Sequence, residues 1–279
     1  MDRVMNKMAA PATMFGKSAR KCASTPPLKW AGGKRWLVPH LLPLWVPYRS
    51  RRLVEPFCGG LAVTLGFGPS RALLNDINPH LINFYRALKR GALADVCMMN
   101  DRDVYEQNRR SFNALISNGG RKSGEAAALF YYLNRTGFNG LCRFNSSGKF
   151  NVPFGRYASI NYARDFTSFR TVTWRWTFLC EDFEKVSLLP DDFVYADPPY
   201  DVEFTRYAKE DFTWADQERL ANWLCRHPGP VVLSNQATDR IVSLYENLGY
   251  KLAFLKAPRR ISCTGDRTPV REILALRNL

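Results

Sequence analysis

Residues 193–200 read Phe193-Val194-Tyr195-Ala196-Asp197-Pro198-Pro199-Tyr200. The first four are a short apolar run of β-branched and aromatic residues, the composition of a buried strand. An acid, two prolines and an aromatic ring follow at the C-terminal end of that strand. In an open α/β sheet this is the end where ligands bind. The prolines fix φ and remove two backbone donors, so the turn is stiff and its carbonyls are left to accept. An acid, a carbonyl and a ring on one rigid turn suit a flat substrate carrying an amino group.

Similar strand signals recur outward from this stretch. Leu53-Val54-Glu55-Pro56-Phe57 is closed by Cys58-Gly59-Gly60, and Ala72-Leu73-Leu74-Asn75-Asp76 follows. Further runs lie at 176–180, 231–233, 250–255 and 272–276. Thr213-Trp214-Ala215-Asp216 has the form of a capping box, and a helix over 238–248 ends at Gly249 as its C′ residue. Strands alternating with helices predict an α/β fold, a Rossmann-like doubly wound and mostly parallel sheet. Residues 80–174 break the rhythm. Helices are predicted at 79–89, 101–116 and 125–134. Two short runs around Asn145-Ser146-Ser147-Gly148 then predict a β-hairpin. The expected organisation is a basic, disordered tail over 1–26, a catalytic domain from 27–80 and 175–279, and an inserted helical domain with its hairpin over 81–174.

The chain has 279 residues, 46% of them hydrophobic, and a net charge of +15. That charge favours a polyanionic partner such as nucleic acid. Residues 1–60 hold eleven Lys/Arg against Asp2 and Glu55 only, and residues 135–156 hold four basic residues and no acid. Seven cysteines without a C-x-x-C pair suit reduced thiols in the cytoplasm. Three ungrouped histidines argue against a metal. No run reaches membrane-spanning length, and no obligate protein partner is evident. The first 26 residues lack the apolar core of a secretory signal, and Met5, Met8 or Met14 are alternative starts.

Taken singly, the other motifs leave alternatives open. The glycines after Phe57 allow close backbone approach to a ligand, or simply make a tight turn. Asp76, ending the second strand, suits a ribose hydroxyl or is a surface acid. Lys29-Trp30-Ala31-Gly32-Gly33-Lys34 does not have Walker A spacing.

Together and in this order, these blocks, with Asn134-Arg135-Thr136-Gly137-Phe138-Asn139-Gly140 and Asp197-Pro198-Pro199-Tyr200, resemble the Dam-type (D12 class) DNA adenine-N6 methyltransferases, especially the GATC-methylating members. The resemblance covers residues 27–277. It implies S-adenosylmethionine as methyl donor, S-adenosylhomocysteine as product and double-stranded DNA as substrate. By the same resemblance Trp30, Lys34, Glu55, Phe57, Gly59, Asp76 and Asp197 contact the cofactor, and Asp182 and Phe183 hold its adenine. Asp197, Pro198 and Tyr200 are the catalytic set, with Tyr200 stacking on a flipped base. Lys29, Leu141, Arg143 and Pro153 read bases, and Phe138 and Asn139 enter the duplex. Arg135, Asn145, Asn151, Arg156 and Tyr157 surround the DNA, and Arg259-Arg260-Ile261-Ser262 lies near its backbone. Departures are Leu61, where many members have Gly, Phe138 in place of the common Tyr, Ser146-Ser147, and the unmatched tail.

The chemistry is consistent with this. A base must leave the duplex to expose its exocyclic nitrogen, at roughly a few kcal/mol, and an aromatic platform returns about 1–3 kcal/mol per base. Acceptors at Asp197 and the Pro198 carbonyl favour a more tetrahedral N6 with a freer lone pair. In-line placement supplies much of the rest. Arg143 can pair with guanine O6 and N7, and Leu141 or Pro153 can pack on a thymine methyl. Competing readings are an amino-methyltransferase for RNA or cytosine N4, and a non-catalytic DNA-binding protein on the same fold.

Overall fold

The computed structural model describes residues 25–201, 212–257 and 270–279. The tail up to residue 24 and Arg259-Arg260-Ile261-Ser262 lie outside the described residues. In chain order the elements are α1 (Val38–Trp45), β1 (Leu53–Glu55), α2 (Ala62–Phe67), β2 (Ala72–Asn75), α3 (Pro79–Arg90), α4 (Arg102–Ser117), α5 (Gly124–Thr136), α6 (Thr167–Thr173), β3 (Trp176–Leu179), β4 (Phe193–Ala196), α7 (Trp214–Cys225), β5 (Val231–Gln236), α8 (Asp239–Asn247), β6 (Lys251–Ala257) and β7 (Val270–Arg277).

The strands form one seven-stranded sheet in the order β3-β2-β1-β4-β5-β7-β6. The first five run parallel; β7 is antiparallel to both β5 and β6. The predicted doubly wound α/β architecture is therefore present. Alternate strand residues feed two cores. Leu53, Leu74, Phe193 and Tyr195 face the side covered by α1 to α5. Val54, Leu73, Val194 and Ala196 face α7 and α8. With both faces covered, β4 can be apolar at every position, and all four of its residues are buried. The first core continues without a break through Phe84, Phe112 and Phe130 to Phe150 and Val152 in the segment after α5.

Local signals hold where they are strong. Thr213 and Asp216 form a reciprocal capping box on α7. Gly249, at φ +76°, follows α8. The predicted hairpin is only partly realised. Its arms meet through the isolated antiparallel bridge Phe144–Phe150 rather than a continuous ladder. The Asn145 side chain takes the Ser147 and Lys149 amides, giving a tight side-chain-capped turn in place of longer strand pairing.

Strand order reverses between β1 and β4, the switch point where open sheets bind ligands. Asn75, 1% exposed, fixes the chain around it. Its amide donates to the Pro56 and Glu181 carbonyls and accepts from the Glu181 amide, each at 3.0 Å. It thus joins the ends of β1, β2 and β3. Replacing Asn75 by Ala leaves those buried groups unpaired, and a loss of about 3 kcal/mol is expected. A lower urea midpoint with an unchanged slope is the expected reading.

Candidate active site

A cavity of about 390 Å³ opens at the switch point, between the turn after β1 and the turn after β4. Trp30, Lys34, Glu55, Phe57, Gly59, Asp76, Asp197, Pro198 and Tyr200 all border it. Nine residues expected at one site from separate blocks of sequence are therefore brought together.

Close packing explains the glycines. A Cβ on Gly59 would lie 2.8 Å from the Trp30 indole nitrogen, and one on Gly60 would lie 2.7 Å from Trp30 Cβ. Only a bare backbone passes under this ring. Gly59 also has φ +42°, and Leu61 stands at φ +61° in the left-handed region. Leu61 is wholly buried, which lets side-chain packing offset that strained conformation. The Gly59 amide donates to Asp76 Oδ2 at 3.0 Å, and Asn78 N donates to Oδ1 at 3.0 Å. Burial raises the Asp76 pKa while these two bonds oppose the rise.

The Asp197 turn is held from several sides. Asp197 Oδ1 meets Lys34 Nζ at 3.0 Å and accepts from the Ser234 hydroxyl at 2.9 Å. Among the described residues, Oδ2 has no partner. Lys34 Nζ also lies 4.4 Å from the centre of the Tyr200 ring. The Tyr200 hydroxyl donates to Glu272 Oε1 at 2.6 Å. Burial, then the charges of Asp197 and Glu272, push the Tyr200 phenol well up, so it stays a donor. The expectation of free turn carbonyls needs correction at one of the two prolines. The Pro199 carbonyl accepts from Gln217 Nε2 at 2.8 Å, and Gln217 is itself held by Asn235 at 3.0 Å. The Pro198 carbonyl has no protein partner among the described residues.

Asp182 and Phe183 stand behind this cavity, not on its wall. Phe183 packs on Phe57 at 5.6 Å between ring centres, and Asp182 pairs with Arg219 at 2.7 Å. Phe57 and Phe212 form the wall there.

The residues expected to meet DNA lie along one adjoining region. Asn134 joins it to the cavity. Its Oδ1 accepts from Lys29 N at 2.9 Å, and its Nδ2 donates to Lys29 O at 2.7 Å and Gly140 O at 3.3 Å. Phe138 and Asn139 form an exposed apex, with Asn139 at φ 52° and Phe138 46% exposed. Arg143 is exposed and braced by Asn151 Oδ1 at 2.8 Å. Leu141 is half-buried, while Pro153 and Arg156 are exposed. Besides Asn151, three more of the expected DNA neighbours have hydrogen-bond partners within the protein. The Asn145 side chain caps its own turn. The Tyr157 hydroxyl donates to Gly137 O at 3.0 Å, with Lys29 Nζ 3.7 Å over its ring. Arg135 donates to the Asn161 carbonyl. Burial, then the Arg135 charge, lowers the Lys29 pKa.

Sequence reading missed Ser234, Gln217, Glu272 and the structural part of Asn134. Ser234-Asn235-Gln236 did carry a signal, a polar run at the end of an apolar strand. Among the described residues no group of three or more His, Cys, Asp or Glu is placed to hold a metal ion, and no helix is long and apolar enough to cross a membrane.

A cavity at the switch point, walled by a glycine turn, an acid after the second strand and an Asp-Pro-Pro-Tyr turn, stands where open α/β enzymes bind their ligands. The chain matches the model of the D12 class N6 adenine-specific DNA methyltransferases over residues 30–260, and it belongs to that family. It is 39% identical over 268 residues to a DNA adenine methylase of Vibrio cholerae, covering 89% of this chain and 94% of the relative. Identity to the DNA adenine methylase of Escherichia coli K12 is 36% over 272 residues, covering 89% and 94%. A DNA N-6-adenine-methyltransferase of phage P1 is 34% identical over 256 residues, covering 85% of this chain but 33% of that longer protein.

Glu55 gives this site a pH signature. It is 2% exposed and accepts from the Thr64 hydroxyl at 2.5 Å. Burial pushes its pKa up to about 8, with Asp197 adding to the rise and the Thr64 bond opposing it. The folded state therefore holds a proton that the unfolded state releases near the ordinary carboxylate range. The linked stability is complete below that range and is lost as pH rises toward about 8. Melting temperatures of wild type and Glu55→Gln should lie closest near pH 5 and separate toward pH 8.5, wild type losing more stability with rising pH. Parallel slopes would refute the assignment.

Proposed function

We propose that this chain transfers the methyl group of S-adenosylmethionine to N6 of adenine in duplex GATC sites, acting on a base rotated out of the helix. The observation that carries the reading is the pair of open acceptors, Asp197 Oδ2 and the Pro198 carbonyl, beside the Tyr200 ring. A flat amino-bearing base on Tyr200 presents two N6 hydrogens to those two acceptors. Accepting both withdraws the nitrogen lone pair from the ring and directs it into the cavity. Lys34 and Ser234 fix the other carboxylate oxygen, so the open one is aimed before substrate arrives. Gln217 holds the turn through Pro199 and leaves Pro198 to the substrate.

Support for the methyl donor comes from the cavity lining: the glycine turn packs its backbone under Trp30 and borders the cavity, and Asp76 retains lone pairs for ribose hydroxyls. When bound, the donor supplies an electrophilic methyl on a sulfonium. Trp30, Lys34, Phe57 and Asp76 would hold it, with Phe183 supporting Phe57 from behind. On the DNA side, residues 81–174 act as the recognition domain. Phe138 and Asn139 are exposed enough to enter the duplex, and Asn151 presents Arg143 in a fixed orientation for guanine. The net charge of +15 supports phosphate binding.

Incubation with the donor and unmethylated GATC duplex should protect the site from methylation-sensitive cleavage and yield N6-methyladenine by mass spectrometry. Absence of both refutes the proposal. Asp197→Ala should lower methyl transfer by at least about 10³-fold while duplex affinity in a gel-shift titration changes little. A matching loss of both would make Asp197 structural. Arg143→Ala should relax discrimination at one guanine by roughly 10- to 100-fold, read from transfer rates on duplexes altered at that position.

A further inference from the structure

We propose that Glu272 is a positioning residue for the transfer reaction, holding the Tyr200 phenol so that the ring offers one fixed face to the extruded base. The inference rests on the stacking role given to Tyr200 above.

Tyr200 ends a turn, and a ring there can rotate about both of its side-chain torsions unless something anchors its tip. The anchor is the 2.6 Å bond from its hydroxyl to Glu272 Oε1, a length typical of a hydroxyl donating to a charged acceptor. Glu272 is 3% exposed and lies in a strand paired on both sides. It stands opposite Gln236 on β5 and Leu255 on β6, so its backbone cannot drift. The other control on the ring is Lys34, whose ammonium lies 4.4 Å from the ring centre and 3.0 Å from Asp197 Oδ1. The tip is thus fixed by β7 and one face is occupied by a cation that also pairs with the acceptor acid. In the proposal the base stacks on the other face of the ring. This couples the plane of the stacking ring to the position of the carboxylate that receives N6. A ring turned away from that plane would carry the amino group away from Asp197 and Pro198.

The test uses the full chain and five variants: Tyr200→Phe, Glu272→Leu, their combination, Glu272→Gln and Tyr200→Ala. Single-turnover methylation, donor affinity, melting temperature and the fluorescence of a duplex with 2-aminopurine at the target are measured for each. Tyr200→Phe and Glu272→Leu should each slow transfer on the order of tenfold, with donor affinity and melting temperature near wild type. The combined variant should be no slower than either single one. Glu272→Gln keeps an acceptor oxygen and should recover most of the rate. Full activity in Glu272→Leu, multiplied losses in the combination, or parallel loss of donor binding and melting temperature would each overturn the inference. If Glu272→Leu fails to fold, Tyr200→Phe breaks the same bond from the other partner, and a wild-type rate there overturns it as well. Unchanged transfer and base fluorescence in Tyr200→Ala would instead refute stacking itself. An inactive Tyr200→Ala beside a fully active Glu272→Leu would refute the positioning role alone.

Discussion

The buried amide of Asn134 is the constraint on which the rest of the site depends. Its reciprocal bonds to the Lys29 amide and carbonyl pair a segment near residue 30 with the end of α5, across more than a hundred positions of chain. From there the segment is committed. Trp30 must lie over Gly59 and Gly60, and Lys34 must reach Asp197. The third bond of Asn134, to the Gly140 carbonyl, sets the Phe138–Gly140 turn against the same segment. Gly140 is required there because a Cβ would fall 2.3 Å from Lys29 Cβ. The exposed Phe138–Gly140 turn and the cavity at the switch point are therefore joined by one short, hydrogen-bonded piece of chain.

Electrostatics sharpen the same arrangement. Glu55, Asp197 and Glu272 surround a single lysine, Lys34, within the cavity and its immediate wall. Burial raises the pKa of Glu55 and Glu272, and the charge of Asp197 adds to both. Proton uptake by Glu55, pushed up to about 8, is the response expected of a buried carboxyl beside another acid. Lys34 pairs with Asp197, while Glu55 and Glu272 accept from the hydroxyls of Thr64 and Tyr200.

What was legible in the sequence was local. The strand over 193–196, the capping box at Thr213, the stop at Gly249 and the helices over 79–134 are each written within a few residues, because period, capping and turn chemistry act over that distance. Glu55, Phe57, Gly59, Asp76 and Asp197 in the cavity wall were legible because they sit at or just after strand ends, whereas Trp30 and Lys34 precede the first strand and rested on the family resemblance. What was not legible depends on contacts between distant elements. Asn75, Gln217, Ser234 and Glu272 are ordinary polar residues until the strand order brings them beside the turns. Helix α6 was missed for a local reason: its sequence is rich in Thr, and Phe166 at its N-cap gives no side-chain cap. The hairpin is shorter than its apolar runs suggest: the Asn145 N to Lys149 O and Asn151 N to Arg143 O backbone bonds flank one antiparallel bridge, and the side chains of Asn145 and Asn151 add further bonds.

The antiparallel seventh strand resolves a topological difficulty. Parallel strands bring only their C-terminal ends to the ligand edge of a sheet, so every group there must come from a strand end or the turn after it. That is the origin of Glu55, Asp76, Asp197 and Ser234. Strand β7 enters between β5 and β6 in the opposite direction, so its first residues arrive at that edge. Glu272 stands opposite Gln236, the last residue of β5, and from there it reaches a ring on the turn after β4. A parallel strand in that place would present its C-terminal end and the chain leaving it. The reversal adds an acceptor carried on a ladder instead of a loop, and ladder residues hold their positions more tightly than loop residues. The turn that must be most exact, the one bearing Asp197 and Tyr200, is therefore fixed by regular structure on three sides: α7 through Gln217, β5 through Ser234 and β7 through Glu272.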